Sequence, residues 1–326
     1  MWCAAGYVLA VGVRAAVWDL GSSSFHLLVC EAGPGRTTLT PVLHRRALLN
    51  LGLSVGERGN IPRDRVAASV AAAKRLRAGL TESRADIVVA LATAALRDAA
   101  NSAEVVERLE RVVGTKVMVL GGEEEARLCF IGQCAGVWTG PGPTLGMDLG
   151  GGSLEAAVGD ADQVAMATSA AIGPARLRGE LGTGDPLSVA DRIALRARTS
   201  EAMAPIASAI GDYRGVTERT VVSGGTVRAL ARLATARARR RPSAGPGEVN
   251  QVELPAGQVL ELADQLAKLD LRGRLALPGM QARRAPLLPV GAAVLATVAT
   301  ELRVGRFVVS EWGLREGAIL DALNHR

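Results

Sequence analysis

Asp19-Leu20-Gly21-Ser22-Ser23-Ser24 and Asp148-Leu149-Gly150-Gly151-Gly152-Ser153 share the pattern D-L-G-x-x-S and begin 129 residues apart, one in each half of the chain. Each stretch follows an apolar run and precedes another, which is the pattern of two strands joined by a tight Gly/Ser turn. Two half-chains that carry the same hairpin predict a duplicated α/β protein with a cleft between its halves. The period is far too long for a solenoid repeat.

Strand and helix patterns alternate around these two turns, and residues 94–97 are predicted to form a loop. The predicted strands are 13–19, 26–30, 86–93, 116–120, 144–149, 154–159, 219–223 and 306–310. The predicted helices are 63–80, 102–113, 123–134, 188–211, 226–238, 255–268, 290–303 and one from 314. A Gly/Pro-rich stretch at 136–143 is the best domain boundary. We expect domains over 1–135 and 136–326, with the last helix free to pack back on the first.

The charge of the chain favours an anionic partner without proving one. Of 38 basic residues only three are lysine, and the formal net charge is +6. Arginine suits bidentate contacts with phosphate, but a solvated basic surface explains the same charge. The run Arg237, Arg239, Arg240 and Arg241 has the same two interpretations, a solvated helix end or electrostatic steering of a polyanion. With four Trp, two Tyr and three Phe, stacking platforms for bases are scarce, so nucleic acid is not expected.

Several other classes of protein are excluded by motif and spacing. The four cysteines form no CxxC pair, and the three histidines lie far apart, so a Cys/His metal site is not expected. No apolar stretch is long enough to span a bilayer, and residues 1–13 lack the basic start of a signal peptide. We therefore expect a cytoplasmic protein without membrane contact. There is no G-x-x-x-x-G-K-[ST] loop, and Gly150–Gly152 leads into a strand, unlike a dinucleotide fingerprint.

The chemistry of the two turns fits a phosphate chain. An aspartate at a strand end presents a carboxylate that binds a metal or holds a water. Glycines let successive backbone N–H groups converge on an anion, and serine hydroxyls add donors to phosphate oxygens. One such turn is weak evidence, because Gly/Ser hairpins are common. Two turns, one at the head of each half, predict a cleft that grips phosphates from both sides.

In this order and spacing, five motifs resemble the exopolyphosphatase/guanosine pentaphosphate phosphatase family, within the actin, sugar-kinase and chaperone-ATPase superfamily. They are the two turns, Gly122-Glu123-Glu124-Glu125-Ala126-Arg127, Ser223-Gly224-Gly225-Thr226 and Leu314-Arg315-Glu316-Gly317. The resemblance extends from about Val13 to the end of the chain. It implies two duplicated actin-like (ribonuclease H-like) domains that flank a central cleft. Because the chain ends at Arg326 without a His-Asp motif, it resembles the short two-domain form of the family and implies a preference for shorter polyphosphates.

The resemblance also implies the site residues. Glu125 matches the catalytic base, and a carboxylate there can orient or deprotonate the attacking water. Arg97 matches an arginine that holds the terminal phosphate, although an arginine at a helix end is an ordinary alternative. Acidic residues in a first turn also complement the helix dipole, which is the alternative for the glutamates. Asp19, Asp148 and Glu155 match acidic residues near Mg²⁺. The phosphate-binding residues would be Gly21, Ser22, Ser23, Ser24, Gly150, Gly151, Gly152, Ser153 and Arg284.

Three functions follow from this resemblance. The first is Mg²⁺-dependent release of terminal orthophosphate from inorganic polyphosphate, and the second is 5′-phosphate hydrolysis of guanosine pentaphosphate (pppGpp). The third is a sensor that binds polyphosphate or an alarmone without turnover. Two departures from the family pattern, Ser23 for Asn and Leu154 for Thr, leave substrate affinity and chain-length preference open. A homodimer is implied by the resemblance alone.

Overall fold

The computed structural model describes residues 12–34, 38–140, 142–160, 163–211, 213, 219–239 and 248–325. Within these ranges lie eleven strands and twelve helices. The strands are β1 (Arg14–Leu20), β2 (Ser24–Ala32), β3 (Leu39–Leu48), β4 (Ile87–Ala92), β5 (Met118–Val119), β6 (Thr144–Leu149), β7 (Leu154–Gly159), β8 (Val164–Ala170), β9 (Arg219–Ser223), β10 (Glu253–Pro255) and β11 (Arg306–Val309). The helices are α1 (Leu51–Arg58), α2 (Arg63–Ser83), α3 (Ala94–Asp98), α4 (Ser102–Val113), α5 (Gly122–Gly136), α6 (Pro174–Leu181), α7 (Val189–Gly211), α8 (Gly225–Arg239), α9 (Ala256–Lys268), α10 (Leu271–Leu275), α11 (Leu288–Glu301) and α12 (Leu314–Asn324).

The strands form two mixed sheets with the same topology. The first has the order β3-β2-β1-β4-β5, and the second has the order β10-β11-β9-β6-β7-β8. In each, an antiparallel hairpin pairs in parallel with a later strand, β1 with β4 and β6 with β9. The second sheet therefore repeats the first and adds β10 at its edge. The predicted duplication, two α/β domains that each begin with the same hairpin, is confirmed.

Both faces of β1 are covered, which explains its nearly continuous apolar sequence. Successive side chains of a strand point to opposite faces. Ala16 and Trp18 join a core cluster with α2 and α4 residues, whereas Ala15 and Val17 pack with Ile319 and other α12 residues. The closing helix thus lies on the first sheet, although it follows the second sheet in sequence.

The helices α5 and α12 pack against each other between the two sheets. On α5, Phe130 packs with Ala157 of the second sheet, and Leu128 belongs to the cluster that holds β1 and α12. Glycines allow the close approach: a Cβ on Gly132 would overlap the backbone of Gly313, and one on Gly317 would overlap the Leu128 carbonyl. Because α5 contacts both sheets, the domain boundary at residues 135 and 136 stays a prediction.

Most strand and helix predictions are confirmed, including 144–149, 154–159 and 219–223 at their full extent. The loop predicted at 94–97 is wrong: it is α3, whose Leu96 and Arg97 N–H groups donate to the Thr93 carbonyl. The patterns missed β3, β8, β10, α1, α6 and α10. Strand β3 is largely exposed and contains Pro41, and α1 contains two glycines, which weaken both patterns. Within the described ranges, no helix has the length and apolarity that a bilayer crossing requires.

We predict that Gly317→Ala destabilises the protein by about 1–3 kcal/mol, because the added methyl group must displace the Leu128 backbone of α5. Chemical denaturation followed by circular dichroism measures the loss. Gly257→Ala in α9 is the matched control, since its Cβ would meet no atom within 4 Å and alanine favours a helix. Equal stabilities of Gly317→Ala and the native protein would contradict the proposed close packing of α5 and α12.

Candidate active site

The two D-L-G-x-x-S turns close with the same hydrogen bond. The Gly21 N–H donates to the Ser24 carbonyl at 3.2 Å, and the Gly150 N–H donates to the Ser153 carbonyl at 3.0 Å. Asp19 and Asp148 end the strands that lead into these turns. The sequence repeat is therefore also a repeat in three dimensions.

The turns touch each other across the cleft. A Cβ on Gly151 would overlap the Ser23 side chain, and one on Gly152 would overlap Ser22. Side chains larger than hydrogen are thus excluded from the second turn by the first turn. All the phosphate-binding residues predicted from sequence, including Arg284, line this one cleft.

The helices α3 and α6 each donate a backbone hydrogen bond to one of the two turns. The Ala95 N–H of α3 donates to Ser22 Oγ at 3.0 Å, and the Ala175 N–H of α6 donates to the Gly151 carbonyl at 2.9 Å. Because Ser22 Oγ accepts this bond, its own proton is available to an acceptor in the cleft. Each turn is therefore fixed before any ligand arrives.

Of the three carboxylates predicted to lie near Mg²⁺, Asp19 and Asp148 line the cleft, whereas Glu155 is buried and does not belong to its lining. Asp148 and Glu155 face each other across the β6–β7 hairpin, and Asp19 belongs to the first domain. Burial, followed by the charge of Asp148, raises the pKa of Glu155 to about 7. Burial also raises the pKa of Asp19 to about 6; the Asp148 charge adds to this and the Arg315 charge opposes it. This concentration of negative charge requires a positive partner.

The residues fit a divalent cation that is shared with phosphate. Glu155 is 1% exposed, and its Oε2 has no hydrogen-bond partner in the described part of the chain. Over those same residues, no three His, Cys, Asp or Glu side chains converge closely enough to enclose a metal by themselves. Mg²⁺ is commonly bound by one or two carboxylates, waters and substrate phosphates, without a cage made wholly of protein. The site therefore fits Mg²⁺ carried with the substrate.

Asp148 is oriented by Ser223, which is held in turn by Gln133. The Ser223 hydroxyl donates to Asp148 Oδ1. Gln133 Nε2 of α5 donates both to Ser223 Oγ at 2.7 Å and to the Met147 carbonyl at 2.7 Å. The Ser223-Gly224-Gly225-Thr226 motif thus contributes to the site through its first residue.

Glu125 lies in the first turn of α5 and faces the cleft, with 8% of its side chain exposed. Burial and the charge of Glu155 raise its pKa well above the usual range, and Arg97 opposes the shift. Glu124 instead points outward and pairs with Arg127 at 2.8 Å. Glu125 is thus buried whereas Glu123 and Glu124 are exposed, a difference that a helix-dipole role alone would not require.

Arg97 lies beside Glu125. Its Nη1 donates to Glu125 Oε2 at 2.8 Å and to the Leu120 carbonyl at 3.0 Å, while its Nε pairs with Asp98 at 3.2 Å. The guanidinium is thus in position to orient the glutamate. Its predicted contact with a terminal phosphate stays a prediction.

Arginines supply the opposite charge in the same cleft. Arg228, Arg283, Arg284 and Arg315 all line it. Burial, followed by the charges of Arg228 and Arg283, lowers the pKa of Arg284 to about 9. Burial and neighbouring arginines likewise lower the pKa of Arg283 to about 10. These guanidinium groups remain charged at neutral pH and repel one another, as expected of a site for a polyanion.

Sequence reasoning missed His26, Arg228 and Arg315. Arg315 lies in the quoted Leu314-Arg315-Glu316-Gly317 motif, and Arg228 follows Thr226 by two residues, so both motifs carried a signal. His26 follows the first turn at the position that Glu155 occupies after the second. Of the basic run predicted to steer polyanions, Arg240 and Arg241 lie outside the described residues.

The folded chain presents two facing phosphate-type turns with carboxylates and arginines around them, which defines a phosphate-hydrolysing or phosphate-transferring α/β enzyme. Residues 28–326 match the Ppx/GppA phosphatase family. The chain belongs to the Ppx/GppA phosphatase family and is a phosphoanhydride hydrolase, as the sequence motifs predict.

Two curated relatives show the range of this family. The chain is 30% identical to Exopolyphosphatase 1 of Mycobacterium tuberculosis over 312 residues, which cover 96% of this chain and 89% of the relative. It is 29% identical over 311 residues to guanosine-5′-triphosphate,3′-diphosphate pyrophosphatase of Aeromonas hydrophila, of which it spans 59%.

Solved structures show the same fold over nearly the whole chain. An exopolyphosphatase from Cytophaga hutchinsonii superposes with a TM-score of 0.86 at 26% identity, covering 96% of this chain and 98% of that one. The Ppx/GppA family member of Aquifex aeolicus superposes with a TM-score of 0.77 at 25% identity, with the same coverage.

We predict that the contribution of Asp19 and Glu155 to the unfolding free energy of the metal-free protein falls as the pH rises from about 4 through 6 and 7, opposite in sign to that of the neutral His26 and His44. The folded-state pKa values of Asp19 (about 6) and Glu155 (about 7) lie above their ordinary values of 3.8 and 4.5, so folding takes up protons in this window. Urea titrations at a series of pH values measure the slope. Glu155→Gln should flatten the slope near pH 7, and an unchanged slope would contradict the raised pKa.

Proposed function

We propose that this protein is an exopolyphosphatase that releases terminal orthophosphate from inorganic polyphosphate with Mg²⁺. The observation that carries the proposal is the position of Glu125, a buried carboxylate facing two phosphate-type turns in one cleft. Phosphatases of this family are in general metal-dependent, and Mg²⁺ in particular is supported by the unpartnered Glu155 Oε2 and the carboxylates around it. Cytoplasmic location and a homodimer belong to the same proposal, on family resemblance.

The reaction is a hydrolysis in which each group has one task. The N–H groups and serine hydroxyls of the two turns bind the terminal phosphates. Glu125 accepts a proton from a water, the water oxygen bonds to the terminal phosphorus, and the bridging P–O bond breaks. The shortened chain leaves with the bridging oxygen. A magnesium ion at Asp19, Asp148 and Glu155 would neutralise charge on the phosphates.

Arg97 supports the base in this scheme. Its ion pair with Glu125 stabilises the ionised carboxylate, which burial and Glu155 disfavour. A buried carboxylate with its pKa raised is a better proton acceptor once ionised, because its basicity follows its pKa. Arg97 thus lowers the raised pKa of Glu125, which increases the ionised fraction of the carboxylate and decreases its basicity.

The lining of the cleft favours polyphosphate over pppGpp. Four arginines line it, while no Trp, Tyr or Phe does so among the described residues. A guanine base would need a stacking or hydrogen-bonding pocket beyond the phosphates. The second candidate is nevertheless pppGpp hydrolysis, favoured by the similarity to the Aeromonas pyrophosphatase. A non-catalytic sensor would retain the turns and arginines but has no need of Glu125 in its present position.

We predict that Glu125→Gln lowers kcat for phosphate release from polyphosphate by at least about 100-fold and leaves KM nearly unchanged, because the amide cannot accept the proton. Phosphate release from chains of defined length measures both. The exposed neighbour Glu123→Gln in the same turn is the matched control and should keep native kinetics. Retained activity in Glu125→Gln would refute the assignment of the base, and saturable binding without release by the native protein would favour the sensor.

We predict that Arg284→Gln raises KM for polyphosphate by roughly tenfold, since one charge-assisted contact contributes on the order of 1.5–3 kcal/mol. The control is Arg306→Gln on β11, because the Arg306 guanidinium forms an exposed ion pair with Glu253 on β10.

In the same assay, kcat/KM for tripolyphosphate should exceed that for pppGpp. The reverse order would make pppGpp the substrate.

A further inference from the structure

His26 and His44 form a pair beside the first phosphate-binding turn. They lie on the neighbouring strands β2 and β3, with their rings stacked at 5.3 Å between centroids and 21° between planes. His26 Nδ1 lies 3.0 Å from His44 Nε2. His26 Nε2 lies 2.7 Å from Ser24 Oγ, a predicted phosphate donor of the turn.

One guanidinium bridges the two imidazoles. Arg315 Nη1, at the start of α12, lies 2.8 Å from His26 Nδ1 and 3.1 Å from His44 Nε2. A guanidinium donates hydrogen bonds and cannot accept them. Both of these ring nitrogens must therefore be unprotonated acceptors, which fixes both tautomers.

The electrostatic surroundings agree with neutral rings. Burial and the Arg315 charge lower the pKa of His26 well below its ordinary value. Although His44 is more exposed, partial desolvation and the Arg315 charge lower its pKa to about 4. Without Arg315, two unprotonated nitrogens would face each other at hydrogen-bond distance with no proton between them. The pair and the arginine are thus one unit.

The tautomer of His26 determines the role of Ser24. Because Nδ1 accepts from Arg315, the ring proton of His26 lies on Nε2 and is donated to Ser24 Oγ. Ser24 Oγ is then an acceptor toward His26, and its own hydroxyl proton is free to be donated into the cleft. A chain of hydrogen bonds that begins at a cation polarises each following donor.

We propose that His26 and His44 are positioning residues. Both accept hydrogen bonds from Arg315, and the resulting tautomer of His26 fixes the Ser24 hydroxyl of the first turn as a hydrogen-bond donor to substrate phosphate. This inference rests on the proposed function for the identity of the substrate, but its hydrogen-bond chain exists independently of turnover. It also distinguishes the two repeats. The residue opposite Asp19 is His26, and the residue opposite Asp148 is Glu155, so the first hairpin has an imidazole where the second has a carboxylate.

The tautomers provide a test that does not depend on activity. The chain has only three histidines, so long-range ¹H–¹⁵N spectra of the full-length protein resolve every ring, and His325→Asn assigns the ring that lies outside the pair. At pH 7 we expect His26 to be protonated on Nε2 alone and His44 on Nδ1 alone. An imidazolium at either position, or His44 protonated on Nε2, would overturn the proposal.

Two amide substitutions separate the halves of the chain of hydrogen bonds. The longer side chain of His26→Gln places an amide donor near the Nε2 position, toward Ser24. His26→Asn reaches only the Nδ1 position, toward Arg315. With tripolyphosphate, we expect His26→Gln to remain within about threefold of the native KM and His26→Asn to raise KM roughly tenfold, with kcat little changed in both. Equal KM values for the two variants would overturn the proposal.

A double-mutant cycle tests whether His26 acts through Ser24. Ser24→Ala should raise KM about as much as His26→Asn, and the double variant should be no worse than Ser24→Ala. Additive effects would contradict the proposal, while His325→Asn should match the native protein. If the native protein releases no phosphate, the same variants are compared by the rise in melting temperature with tripolyphosphate. A failed proposed function is then distinguishable from a failed hydrogen-bond chain.

Discussion

The contact between the two Gly/Ser turns is the constraint on which the rest of the site depends. Because Gly151 and Gly152 leave no room for a Cβ against Ser23 and Ser22, the two sheets approach each other at the ends of β1 and β6. Asp19 and Asp148 end these strands, so the same contact brings their carboxylates near each other, and the charge of Asp148 adds to the raised pKa of Asp19. A wider separation would leave two half-sites.

The cleft that results brings charges of both signs together. Carboxylates concentrate where the hairpins meet, and arginines from α8, α12 and the segment before α11 line the same cleft, with Arg315 Nε 4.0 Å from Asp19 Oδ2. Burial makes each group disfavour its own ionised form, as the raised pKa of Glu155 and the lowered pKa of Arg284 show. Under the proposed function, a phosphate chain with a divalent cation would neutralise both kinds of group, with the cation at the carboxylates and the phosphate oxygens at the arginines. The unfavourable ionisation of the empty site would then favour binding of a metal-bound polyanion.

The sequence allowed the duplication and both hairpins to be predicted, because these features are local, whereas the roles of the acidic residues came from the family resemblance and stay predictions. Each turn carries its own glycines and its own aspartate, and the strands beside it carry regular apolar patterns. The hydrogen bond of Arg97 to Glu125 was not predictable, because it joins residues 28 apart in sequence, one on α3 and one in the first turn of α5. The same applies to Arg315, which reaches His26 across 289 residues of sequence. The missed strand β3 carries His44, so an edge strand without clear alternation concealed a part of the site.

The two helices between the sheets explain how these distant groups keep their geometry. Glu125 begins α5 and Arg315 begins α12, and the two helices pack with backbone against backbone at Gly132, Gly313 and Gly317. Glu125 and Arg315 are therefore fixed relative to each other by a backbone contact that involves no flexible side chain. The turns, in contrast, belong to different sheets and touch only at their tips. Any relative motion of the sheets would change the distance between the two turns more than the distance between Glu125 and Arg315. The packing of α5 against α12 therefore determines the position of Glu125, and the spacing of the sheets determines how the turns contact a substrate.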